Sequence, residues 1–167
     1  MPSDEALMAE FQLGSRVAFD ELFARYRQPL YGYFRRRLAS RERAEDLTQE
    51  TFLAVIHAAE RYQPRALVRT YLYGIAIKLL AAERRRSARP EVASDPVNDP
   101  KSDESLWVRQ ALGRLEPVAR EILMLREYEQ LSYAEIADLL RLPLNTVRTR
   151  LFRSRLALKD ALEARKP

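Results

Sequence analysis

Apolar positions along the chain recur at intervals of three and four almost from end to end, and no stretch alternates as a half-buried strand would. The spacing predicts helices over roughly 4–13, 17–38, 41–62, 67–86, 104–113, 117–127, 133–141 and 145–163. Helix-start signals fall where the pattern needs them. Ser40 precedes the helix opening at Arg41, and Ser132 precedes Tyr133 with Glu135 three residues on, the signature of a capping box. Pro117 suits a first helical turn, whereas Pro64 and the Leu142-Pro143 pair each interrupt the chain between two helices. No segment repeats at the 20–50-residue spacing of a solenoid. The fold class is therefore all-α.

One stretch departs from the pattern. Residues 87–105, SARPEVASDPVNDPKSDES, hold three Pro, four Ser, five acids and no aromatic, too little apolar surface for a core. They read as a flexible acidic linker between two small helical domains, 1–86 and 106–167. The second, near 60 residues, is small enough that its helices must pack economically.

Composition narrows the chemistry. With no Cys there is no disulfide scaffold, zinc ribbon, iron–sulfur cluster or thiol nucleophile, and with one His there is no His-rich metal site. No cofactor and no metal are expected. No apolar run approaches the roughly 20 residues of a membrane span, and the acidic Met1–Glu10 segment lacks the positive start of a signal peptide, so a soluble cytoplasmic protein is expected. The formal charge of +5 becomes informative once divided. Residues 1–86 carry 15 basic and 11 acidic side chains, residues 87–105 two and five, and residues 106–167 twelve and eight. Two basic blocks flanking an acidic strip fit two modules that touch a polyanion, joined by a segment that does not.

In the C-terminal block a short amphipathic helix with Ile136, Leu139 and Leu140 on its apolar face meets a tight Leu142-Pro143-Leu144 turn and a second helix opening near Asn145. That is the layout of a helix-turn-helix whose second helix enters the major groove. Around this second helix Val147, Leu151, Ser154 and Leu158 gather on one side, and Arg148, Thr149, Phe152, Arg155 and Lys159 on the other. Five Arg and no acid lie between Arg141 and Arg155. An outward Phe152 finds a partner in a thymine methyl, Arg148 or Arg153 in guanine or phosphate, and the Asn145-Thr146 terminus in a backbone phosphate. A solvated basic face with Phe152 packed on a neighbouring helix is the other arrangement the pattern allows.

The N-terminal block has two faces of interest. On helix 41–62, Ala44, Leu47, Phe52, Val55, Ile56 and Ala59 form the core arc, and Asp46, Gln49, Glu50, His57 and Glu60 lie opposite with Leu53 among them. A polar, acidic rim around one leucine has the character of a protein-docking surface, and equally of an ordinary solvated face. On helix 67–86, Tyr71, Lys78 and Arg85 share a stripe at heptad spacing, with Gly74 and Ala81 between them and Arg84 and Arg86 beside. Aromatic, small and basic residues interleaved in this way suit a nucleic-acid strand. The Arg cluster alone also suits the C-terminus of a helix dipole. The preceding loop, Arg61 to Arg65, includes Gln63; closure over an unstacked base is a role open to it that no local signal establishes.

Enzymatic chemistry finds little support. Asp46 and Glu50 project from one helix face, but no second acidic set accompanies them. There is no Gly-rich phosphate loop and no nucleophile elbow. The chain is read as a non-enzyme. A two-domain helix-turn-helix regulator, its N-terminal half serving for ligand binding or dimerisation, would need a self-complementary surface.

Taken together, the segments FDELFARYRQPLYGYFRRRL, RAEDLTQETFLAV, VRTYLYGIAIKLLAAERRR and LGRLEPVAREILMLREYEQLSYAEIADLLRLPLNTVRTRLFRSR resemble, in order, regions 2.1, 2.2, 2.3–2.4 and 4 of the group 4, or extracytoplasmic-function (ECF), sigma factors of bacterial RNA polymerase. The resemblance implies a promoter-specificity subunit that directs core polymerase to −10 and −35 elements and assists melting. It implies core-polymerase binding by Asp46, Gln49, Glu50 and Leu53; −10 DNA binding by Gln63, Arg65, Tyr71, Lys78, Arg84 and Arg85; and −35 DNA binding by Asn145, Thr146, Arg148, Thr149, Phe152 and Arg153. The implied partners are core RNA polymerase, through its β′ clamp coiled coil and β flap, promoter DNA, and an anti-sigma factor able to hold the chain at the membrane. The free chain is expected to be a monomer. Tyr71 stands where many members have Trp, Lys78 where many have Asn, Ala82 where many have Asp, and Asn145 where Gly is usual. Lys78 and Ala82 bear on the −10 sequence preference.

Overall fold

A computed structural model of the chain describes residues 1–64, 66–87 and 103–164. Arg65 and most of the predicted linker lie outside the described residues. The chain divides into two compact units, Met1–Val97 and Asn98–Pro167. The described residues contain α-helices and one short 3-10 turn, and no strand.

The first unit holds α1 (Asp4–Gln12), α2 (Arg16–Arg35), α3 (Arg41–Ala58), a 3-10 turn at Ala59–Arg61, and α4 (Val68–Arg86). Serine starts three of the four helices. The hydroxyls of Ser3, Ser15 and Ser40 accept from the N–H groups of Ala6, Ala18 and Arg43 at 3.1–3.2 Å, satisfying donors that an uncapped first turn leaves open. The helices pack in sequence order, and α1 returns to touch α4 and the 3-10 turn. Their shared core includes Leu7, Met8, Leu22, Val55, Val68 and Leu72. Phe11, Phe19, Phe23 and Phe52 form an aromatic row with centroid separations of 4.8–6.5 Å.

Four sequence expectations change here. The helix expected over 17–38 ends at Arg35, and that over 41–62 gives way to the 3-10 turn at Ala59. Ile56, expected in the core arc of α3, is 45% exposed, while Thr48 and Thr51 are buried. These threonines fit the apolar interior because their hydroxyls donate to the carbonyls of Ala44 and Leu47 at 2.7 Å. The Arg35-Arg36-Arg37 run, counted in the basic block, is largely structural. Arg35 is buried and donates to the carbonyls of Leu38 and Ala39, in the segment that follows α2. Arg37 is buried too, donates to the Tyr33 carbonyl, and lies 3.9 Å from that residue's ring centroid.

The second unit holds α5 (Asp103–Gly113), α6 (Pro117–Glu127), α7 (Tyr133–Leu140) and α8 (Leu144–Glu163). α5 begins inside the stretch expected as linker. α8 packs on the other three, over a core that includes Ile122, Leu125, Leu131, Ile136, Val147 and Leu151. The capping box forms as the sequence indicates: Ser132 Oγ accepts from Glu135 N–H, and the Glu135 carboxylate accepts from Ser132 N–H. Pro117 occupies the first turn of α6, behind Glu116, whose carboxylate accepts from the N–H groups of Val118 and Ala119. Between α7 and α8 the backbone reverses through Arg141 at φ 55°, and Leu142 N–H reaches back to the Ala137 carbonyl at 3.0 Å. Pro143 then opens α8.

Candidate docking and nucleic-acid interfaces

On α3 the candidate docking residues Asp46, Gln49, Glu50 and Leu53 lie on the side away from the buried Leu47, Thr51 and Val55. Gln49 and Leu53 are exposed, and Asp46 and Glu50 are half-buried. Leu53 is 53% exposed, and Ile56 stands one turn beyond it. The apolar centre of the face is therefore a pair of aliphatic side chains. The polar rim includes His57 and Glu60, both exposed. Ile56 was legible in principle, since it lies only about 60° around the helix from Leu53.

Asp46 also has a partner that the sequence did not indicate. Arg43 donates to its carboxylate at 3.0 Å and, from the other side, holds Glu83 of α4 through two bonds of 2.8 and 2.5 Å. Glu83 is the more enclosed of the two acids. The Arg43 guanidinium holds its carboxyl below the ordinary carboxylate range.

On α4, Lys78, Ala81, Arg84 and Arg85 are exposed and Gly74 is half-buried. Tyr71 differs from its neighbours on the stripe. It is half-buried, packs on the first unit's core, and lies 5.1 Å from the Tyr62 ring centroid. Burial pushes its phenol above the ordinary tyrosine value, and its hydroxyl has no hydrogen-bond partner among the described residues. Gln63, in the loop before α4, is exposed.

On α8, Asn145, Arg148, Thr149, Phe152 and Arg153 are exposed, and Thr146 is half-buried. Val147, Leu151 and Ser154 face the core as the angular pattern indicates. Phe152 is 69% exposed, which does not fit the arrangement with Phe152 packed on a neighbouring helix. No side chain caps α8, whose first N–H groups stay open for an external acceptor. The Thr149 hydroxyl donates to the Asn145 carbonyl at 2.9 Å, leaving its oxygen to accept. Two cations drawn into the basic face by pattern are engaged elsewhere. Arg155 is paired with Glu127 at 2.6 Å, and Lys159 lies 3.9 Å from Glu163.

Among the described residues there is no cluster of His, Asp and Glu that could hold a metal ion, and no helix is long and apolar enough to cross a membrane.

Comparison with known proteins gives these surfaces a context. Residues 22–90 match the family model of Sigma-70 region 2, and residues 105–158 that of Sigma-70, region 4. The RNA polymerase sigma-H factor of Pseudomonas aeruginosa is 30% identical over 181 residues, covering 96% of this chain and 94% of that protein. The ECF RNA polymerase sigma-E factor of Haemophilus influenzae is 28% identical over 182 residues, covering 96% of each. The solved structure of CnrH in complex with the cytosolic domain of CnrY aligns with TM-score 0.79 at 27% identity, over 99% of this chain and 100% of that one. That of RpoE with the anti-sigma factor NepR from Bartonella quintana shares the fold, with TM-score 0.71 at 19% identity over 89% of this chain and 98% of that one. Each unit thus matches one sigma-70 region, in the order those regions take in sigma factors, and the chain belongs to the sigma-70 family, in its ECF group.

Proposed function

We propose that the chain is a promoter-specificity subunit of RNA polymerase that binds core enzyme, reads −35 duplex with α8, and captures the melted −10 strand with α4 and the loop before it. Sigma factors are non-enzymatic initiation factors, and the catalytic step in this reading belongs to the polymerase. The single observation that carries the reading is the pairing of a region 2 match and a region 4 match on two separate compact units of one chain. A helix-turn-helix alone is common to many regulators, and the two-domain regulator reading offers no account of the region 2 match.

Each surface has chemistry suited to its task. The aliphatic pair Leu53 and Ile56, rimmed by Asp46, Gln49 and Glu50, suits a partner helix that buries the pair and meets the rim with cations and amides. The β′ clamp coiled coil is the partner proposed for it. The melted strand needs planar surfaces for bases and cations for phosphates, which Tyr71, Lys78, Arg84 and Arg85 supply. Arg65 belongs to the same proposed set but lies outside the described residues. On α8, Phe152 suits a thymine methyl, Arg148 and Arg153 suit guanine edges or phosphate, and the open N-terminus with Asn145 and Thr146 suits a phosphate. CnrH is solved with the cytosolic domain of CnrY, and RpoE with the anti-sigma factor NepR; a protein regulator of the anti-sigma kind is proposed for this chain as well.

The test is reconstitution. Purified chain is added to core RNA polymerase with promoter fragments selected from a random pool. Specific initiation from fragments carrying two spaced elements is the expected result. A chain that never associates with core enzyme overturns the reading.

A further inference from the structure

We propose that α1, outside every surface assigned above, is the positioning element of the −10 interface, with Gln12 and Glu5 as its positioning residues. The inference rests on the proposed −10 role of α4 and its preceding loop. Gln12 Nε2 donates to two carbonyls that bracket the 3-10 turn, Ala59 at its start at 2.8 Å and Tyr62 just past its end at 2.9 Å. Seven residues earlier in α1, the Glu5 carboxylate accepts from Val68 N–H at 3.1 Å. That bond caps α4 from outside, because Leu67 at its N-cap has no side chain to do so. A single helix thereby fixes both the point where the chain leaves the 3-10 turn and the point where it enters α4.

The fixed points border the candidate strand-binding residues. Gln63 follows one of them directly, and Tyr71 lies in the first turn of α4 beyond the other. The Tyr62 side chain links the two. Its hydroxyl donates to the Ala66 carbonyl across the loop, and its ring packs on Tyr71. α1 is itself anchored firmly. Leu7 and Met8 are buried in the core, and Asp4 pairs with Arg25 of α2 at 2.8 Å. Capturing an unstacked base needs a preformed loop, since ordering a mobile one at the moment of binding costs affinity.

The test uses the full chain in holoenzyme. The probe is a fluorescent single-stranded oligonucleotide carrying the −10 region of a promoter selected by wild-type holoenzyme. Gln12→Glu keeps the shape of the side chain but sets a carboxylate against two carbonyls. Its affinity for the probe is expected to fall about tenfold, the scale of one to two lost hydrogen bonds. Affinity for −35 duplex, read by the other unit, should stay within about twofold, and affinity for core enzyme should fall less than affinity for the probe, although Ala59 adjoins Glu60 of the docking rim. Glu5→Ala should lose about threefold on the probe alone, and Glu5→Gln, which keeps the accepting oxygen, should restore it. If Gln12→Glu fails to fold, the Glu5 pair decides. Equal losses in all three affinities, or unchanged probe affinity in these variants, overturn the inference. Failure of wild-type holoenzyme to hold the probe overturns the proposed function and the inference together.

Discussion

Leu53 and Ile56 each leave much of an aliphatic side chain in water, and the fold gains little from either. A charge at Leu53 should therefore be nearly neutral for folding, within about 0.5 kcal/mol, because more than half of that position is exposed. It should be severe for docking, because a buried apolar anchor carries about 2 kcal/mol or more of an interface, roughly thirtyfold in affinity. Leu53→Glu is expected to abolish competition for core enzyme while leaving the melting temperature and −35 duplex affinity unchanged. Competition at wild-type strength would remove Leu53 from the docking face. Phe152 follows the same logic on α8: its outward position was legible from angular spacing alone, since Val147, Leu151 and Ser154 already define the buried side. Arg35 and Arg37 were not legible. Sequence counts both as surface charge, but each carries its donors inward to backbone carbonyls, Arg37 to Tyr33 in the last turn of α2 and Arg35 to Leu38 and Ala39 just beyond it. Whether an arginine turns inward depends on where its helix stops, and the apolar pattern locates a stop only to within a few residues.

Between elements, the Glu83–Arg43–Asp46 chain fastens α4 to α3, and so joins the helix with the proposed strand-binding stripe to the helix with the proposed docking face. Glu83 has its carboxyl pKa lowered by Arg43, so folding favours its ionised form. The stabilisation is complete above the unfolded carboxylate pKa and is lost as pH falls through the lower folded value. Glu83→Gln should therefore lower the melting temperature at neutral pH, and the gap from wild type should close progressively on acidification. A gap that persisted unchanged to strongly acidic pH would mean that Glu83 acts through packing rather than charge. The helices themselves were largely legible in sequence, because Ser40, Ser132 with Glu135, and Pro117 are local signals that work through the adjacent backbone. The Arg43 tie spans 40 residues of sequence, and the Glu5 cap on α4 spans 63. Periodicity carries no information about which charged groups two packed helices bring together, so both contacts required coordinates.

At the scale of the whole molecule, a net charge of +5 says less than the placement of the cations left free. The proposed contacts divide between the units: Lys78, Arg84 and Arg85 on α4 of the first, Arg148 and Arg153 on α8 of the second. If the two units hold different nucleic-acid forms, their salt dependences should separate. Each phosphate neutralised on duplex contributes about 0.9 to the slope of log affinity against log salt, and each on single strand about 0.7. Holoenzyme should thus show a steeper slope on a fragment with both promoter elements than on a −35 duplex alone. Arg153→Ala should flatten the slope on both fragments if Arg153 holds phosphate. Arg85→Ala should flatten it only where the −10 strand is present. Arg155→Ala should change either slope less, because Arg155 is already paired with Glu127. An Arg85→Ala variant that flattened the slope on the −35 duplex alone would show that α4 touches duplex, and the division of labour between the two basic units would have to be redrawn.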